Sequence, residues 1–204
     1  MRDESWLQAH EYKFAVGCNF VPFLDETLPP ESICYRSLRV AAFDPPYLVS
    51  VLQVGHMAEV RFIAEVSCSE STEDINVGPR WLRAVASAFE NKTELPTEIP
   101  SSFCFAQAKD DLTSIQVDWL RNQMERIQPL NLKTIEESGQ SRDGQYYFGG
   151  IKINGQHANT VCLRNGDDDH RQSQFHRTLF ELAVSSITES QSAEILRNMR
   201  PNFT

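Results

Sequence analysis

The sequence has no run of Lys or Arg longer than two, no Cys-x-x-Cys pair and no apolar stretch of membrane-spanning length. Each absence removes a class of function. Without clustered cations there is no patch to hold a phosphate backbone. The 28 acidic against 19 basic side chains, a formal charge of -9, repel nucleic acid and anionic lipid head groups at long range. Neither nucleic acid nor a membrane is therefore an expected partner. The longest apolar stretches, such as Tyr47 to Val54, have only the length of a strand. The N-terminal MRDESWLQAHEYK mixes acids and bases and lacks the apolar region of a secretory signal, so a cytoplasmic location is expected. Cys18, Cys34, Cys68, Cys104 and Cys162 are odd in number and widely spread. That pattern predicts buried free thiols in a reducing compartment rather than a disulfide framework or a zinc site.

Glycine is also scarce, at nine residues, and the patterns that cradle phosphates, Gly-x-Gly-x-x-Gly and Gly-x-x-x-x-Gly-Lys, do not occur. The Gly-x-Ser-x-Gly elbow of serine hydrolases is missing too. No cofactor is implied. Gly149-Gly150 lies within an apolar, strand-like run and marks a bulge or a close backbone approach.

What is present is the material of an ordinary core: 41% hydrophobic residues with 12 Phe, and 23% charged residues. A chain of 204 residues suits a single domain over 1–204, and the loop 91–102, with Pro96 and Pro100, is where a lobe boundary would fall. Alternation predicts strands over Tyr12 to Phe20, Ile33 to Phe43, Tyr47 to Val54 and Met57 to Val66, with Gly55-His56 as a type II′ hairpin loop. A helix follows Gly78-Pro79, with Trp81, Leu82, Val85 and Phe89 on one face. Phe103 to Phe105 reads as a short strand. Asp110-Asp111 offers an N-cap to a second helix whose inward stripe is Leu112, Ile115, Trp119, Gln123 and Ile127, stopped by Pro129.

Leu132 to Glu137 is a further strand candidate. Asn154-Gly155 between two apolar runs predicts a type I′ hairpin with Lys152 opposite His157. Asp167-Asp168-Asp169 precedes a third main helix carrying Phe175, Leu179, Leu182 and Ile187, and a short helix ends near Pro201. Strands cluster instead of alternating with helices. The expected fold is therefore α+β: an antiparallel sheet, made of an N-terminal meander and a C-terminal hairpin, packed with three main helices.

Candidate chemistry is tested by spacing. Cys162 and His157 are the closest Cys and His, but five residues along one strand put them on opposite faces, so no local nucleophile–base pair is expected. His170 and His176 near the Asp run have metal-ligand chemistry. Six helical residues turn about 600° and rise about 9 Å, which points them apart, so no metal site is expected. Arg142, Asp143, Tyr146 and Tyr147 form the binding candidate, in which rings give contact area and the guanidinium gives an anchor. The expected function is that of a non-enzymatic acidic binding protein of immunity, inhibitor or adaptor type, suited to a basic protein partner. The alternative is a small hydrolase or transferase whose site, drawn from Cys162, His157, His170 or His176, is assembled from distant segments.

Overall fold

A computed structural model describes residues 4–18, 28–41, 44–68, 77–132, 145–164 and 170–199. Among them run α1 (Glu4–Gly17), β1 (Ile33–Ala41), β2 (Tyr47–Val54), β3 (Met57–Val66), α2 (Val77–Asn91) and β4 (Cys104–Asp111). Then follow α3 (Ser114–Ile127), a 3₁₀ turn (Pro129–Asn131), β5 (Gln145–Ile153), β6 (Gln156–Arg164), α4 (His170–Ser186) and α5 (Ser190–Asn198). The six strands form one antiparallel sheet in the order β4-β3-β2-β1-β5-β6. The α+β fold of meander plus hairpin is thus the one the strand pattern predicts.

Both hairpins close as their loop residues dictate. Gly55 carries the positive φ, 59°, of a first position in a two-residue loop, and Asn154 and Gly155 both do, at 48° and 78°, as type I′ requires. That loop sets the register of the second hairpin, with Ile153 opposite Gln156 and Lys152 opposite His157. β5 then pairs with β1 instead of extending the meander at β4, so the hairpin joins the sheet at the strand where the meander begins.

Each face of the sheet has its own cover. Tyr35, Val49, Val51, Val60, Phe62 and Ile151 point to the face packed by α3, α4 and α5, whose Leu120, Met124, Phe175, Leu179, Leu182 and Leu196 complete the larger core. On the opposite face Leu38, Val40, Leu48, Ile63, Tyr146 and Phe148 meet Leu7, Phe14 and Ala15 of α1. Outside α1 lies α2, joined to it by a smaller cluster of Ala9, Leu82, Val85 and Ala86, with Trp6, Tyr12, Trp81 and Phe103 packed around it.

Four local expectations are corrected. Of the strand expected over Tyr12 to Phe20, Tyr12 to Gly17 are the second half of α1, and Asn19 and Phe20 lie outside the described residues. The Leu, Gln, Ala, Glu and Lys of α1 are good helix formers, and the alternation of Tyr12, Phe14 and Val16 with Lys13, Ala15 and Gly17 misleads because Lys13 and Ala15 are buried too, Lys13 paired with Glu65. The Phe103 to Phe105 strand continues as far as Asp111. Asp110 and Asp111 therefore belong to β4, and the cap of α3 is Thr113, whose hydroxyl accepts from Gln116 N in a capping box. The inward stripe of α3 is Leu120, Met124 and Ile127, not Ile115 and Trp119. Cys68 and Cys104 are disulfide-bonded, at the end of β3 and the start of β4, whereas Cys18 and Cys34 are buried free thiols. The pairing of Val66 with Cys104 brings the two cysteines together at the sheet edge, a contact between segments that cysteine spacing cannot reveal. The Leu132 to Glu137 strand and the Asp167–Asp169 cap lie outside the described residues, except for Leu132 itself, which ends the 3₁₀ turn.

Candidate functional site

The residues nominated by sequence scatter. Arg142 and Asp143 lie outside the described residues. Tyr146 and Tyr147 are both buried, on opposite faces of β5: Tyr146 in the core under α1, Tyr147 with its ring 4.9 Å from that of His176 under α4. They do not share a surface. His157 is exposed on β6, where the register places it opposite Lys152, five positions from Cys162, which stands opposite Tyr147. His170 opens α4, and His176, six residues on, is in the core. Among the described residues no group of three His, Cys, Asp or Glu side chains comes together as a metal site.

One polar pairing was not foreseen. Ser37, in the middle of β1, is hydrogen-bonded through Oγ to His176 Nδ1 at 2.8 Å. Gly149 lies beside Ser37 in the register, and a Cβ there would stand 2.6 Å from Thr160 Cγ2 and 3.4 Å from His176 Cε1. The missing side chain is what lets α4 seat its imidazole on the sheet, so the close approach expected at Gly149-Gly150 occurs at the first of the two. Gln172, one turn earlier on α4, donates to Thr160 Oγ1 at 2.9 Å.

A serine beside a histidine is the general form of an activated hydroxyl, but this pair has the wrong environment for it. Ser37 is 2% and His176 1% exposed, and burial holds the imidazole down at about 3, far below a useful general base at neutral pH. Nε2 of His176 has no hydrogen-bond partner among the described residues, so no carboxylate orients the ring there. The pair ties α4 to the sheet.

A second polar layer lies under α1. Lys13 pairs with Glu65 of β3, and its Nζ is 3.3 Å from His10 Nδ1; Arg36 of β1 pairs with Glu11. Burial lowers Lys13, opposed by the carboxylate of Glu65, and lowers His10 further, with the Lys13 charge adding to the effect. Lys13 and Arg36 are buried between helix and sheet, where their pairs fix α1 in place, while Glu65 and Glu11 remain partly exposed.

Two features do face solvent. A cleft of about 300 Å³ runs between α3 and the sheet, with Tyr35, Met124, Leu130 and Ile153 as apolar walls beside Arg121 and Glu125. It is at the small end of ligand sites, and none of the described residues nominated by sequence lines it. The other feature is the outer face of α3. Ile115 is 80% exposed and Trp119, one turn on, 36% exposed, so this helix carries an apolar pair away from the core as well as its inward stripe. Asp110 and Asp111 precede that helix, Asp110 Oδ2 accepting from the N–H and hydroxyl of Thr188, and Asp118 on it is paired with Arg121. The signal for this surface was present as a second helical stripe, Leu120, Met124 and Ile127, competing with the first.

Fold and surface together define an α+β protein built on a six-stranded antiparallel sheet, with an exposed apolar pair on a helix face outside its core. Among the described residues no helix is long and apolar enough to cross a membrane. Comparison with protein-family models, curated proteins and solved structures finds no match to this chain.

Proposed function

We propose that the protein is a non-enzymatic binding domain, of immunity, inhibitor or adaptor type, that holds a basic protein partner on the outer face of α3. The observation that carries this reading is the exposure of Ile115 and Trp119 on a helix whose core contacts are made by other residues. Isolated exposed apolar residues are ordinary, but a Trp with an Ile one turn away is the composition of an interface centre, and tryptophan is enriched among the residues that dominate binding energy. The formal charge of -9 and the acids Asp110 and Asp111 just before α3 favour a cationic partner and speed its encounter. The buried, weakly basic histidine of the Ser37 pair supports a structural rather than a catalytic role for that pair. A cytoplasmic setting is part of the proposal. Cys18 and Cys34, kept as thiols, support it, while the Cys68–Cys104 bond weighs against a uniformly reduced chain.

The test compares the wild-type protein with Ile115→Asp/Trp119→Ala in pull-downs from native extract, at low and high salt. A partner of basic isoelectric point that is held by the wild type, weakened by salt and lost to the variant supports the reading. A partner indifferent to both the substitutions and salt, or no partner specific to the wild type, overturns it.

A further inference from the structure

We propose that the Cys68–Cys104 disulfide is a reversible redox clamp on the excursion of chain that carries α2. The bond closes the base of that excursion: Cys68 follows the last residues of β3 and Cys104 opens β4, at a sequence separation of 36. Between them lie α2 and the segment 92–103, which turn away from the sheet and pack on α1. Tyr12 of α1 donates to Pro96 O at 3.0 Å, Ser5 of α1 donates to Glu90 of α2 at 3.0 Å and Trp81 of α2 donates to Glu98 O at 2.7 Å, so aromatic contacts and a few hydrogen bonds, two of them to α1, hold the excursion. Within the described residues α2 packs on α1, with Phe103 beside it, and the ends of the excursion are the parts that adjoin β3 and β4. Opening the bond leaves that base closed only by the β3–β4 pairing of Val66 with Cys104.

The cysteines are sorted by access in a way that suits exchange. Cys68 and Cys104 are each partly exposed at the sheet edge, whereas the free thiols among the described side chains, Cys18 and Cys34, are buried. Burial pushes Cys18 up to about 11 and Cys34 up to about 12, which keeps them protonated and out of competing exchange. The reductant is a small thiol or dithiol of the glutathione or thioredoxin class. Its thiolate attacks one sulfur of the pair, and the other sulfur leaves and takes up a proton. A second thiol then resolves the mixed disulfide and releases the first cysteine as a thiol. The chain gains two electrons and two protons, and the reductant departs as its own disulfide.

The test equilibrates the full chain with reduced and oxidised glutathione over a range of ratios and counts free thiols by alkylation and mass spectrometry. Amide hydrogen exchange is then read in the same samples. A bond that opens and recloses across the range, with exchange over 77–91 faster by about tenfold or more in the reduced form while β1 and β2 are unchanged, supports the clamp. The Cys68→Ser/Cys104→Ser variant should show the exchange of the reduced wild type at every ratio. The wild type measured in both states decides the matter even where that variant folds poorly. A pair that remains oxidised at every ratio is a permanent staple, and a pair that never forms in oxidised glutathione is not a bond at all. Either result overturns the proposal, as does an α2 exchange rate that is the same in both states.

Discussion

At the scale of single residues, the buried imidazoles link stability to pH. His176, held at about 3, and His10, pushed well below its ordinary value, are neutral in the folded chain, while in the unfolded chain each titrates near 6.5. Below that pH the unfolded state binds more protons, so stability is present above about 6.5 and is lost as pH falls, by up to about 1.4 kcal/mol per pH unit for each ring. Urea midpoints should decline from about pH 6.5 to 5, before most carboxylates titrate, and His176→Gln should flatten the slope by about one proton. An unchanged slope in the variant would place the ring in solvent. Gly149 gives a second prediction: Gly149→Ala forces a Cβ against Thr160 and Phe175 and should cost about 1–3 kcal/mol in denaturant titration, whereas an innocuous alanine would mean that α4 can move off the sheet. Gly149 was legible as a close approach. The Ser37–His176 bond was not, because it joins residues 139 positions apart and neither residue has a local reason to seek the other.

At the scale of elements, α3 separates what periodicity can decide from what it cannot. Ile115 and Trp119 share a helical face by spacing, as Leu120, Met124 and Ile127 do. The choice is made when Thr113 caps the helix and the β4 connection fixes its rotation, and both are tertiary facts. The consequence is measurable. Leu120→Ala should destabilise by about 2–5 kcal/mol, while Ile115→Ala should stay within about 0.5 kcal/mol, and the reverse order would restore the stripe read from sequence. Thr113→Ala, removing the side-chain half of the capping box, should cost about 0.5–2 kcal/mol in the same titration. The misread α1 has a related cause: its Lys13 and Glu11 look like solvent-facing residues until Glu65 and Arg36 are brought opposite them by the sheet. The hairpins were legible throughout, since Gly55 and Asn154-Gly155 carry their backbone requirement in the sequence itself.

At the scale of the whole molecule, the alternation of β1 to β3 and β5 to β6 was sufficient for the class of fold but silent on strand order and on the disulfide. Both depend on which distant segments lie side by side. Closing the loop of 36 positions between Cys68 and Cys104 should contribute about 3–4 kcal/mol through the unfolded chain. Guanidinium titrations with and without a reductant should differ by that much, and equal midpoints would show that the bond constrains nothing. The surface read as a docking face belongs to this scale as well, since it exists only because α3 turned Ile115 and Trp119 away from the core.

The junction of β1 with β5 also sets a timetable for synthesis. Ile33 finds Ile153 as its partner, so one whole edge of β1 waits until about 120 further residues have left the ribosome, several seconds or more at ordinary rates of elongation. During that interval the meander presents β1 as an unpaired edge, with Tyr35 and Leu38 still lacking the strand that will flank them. The nascent chain is therefore most exposed to wrong pairing not at its last-made strand but at its first.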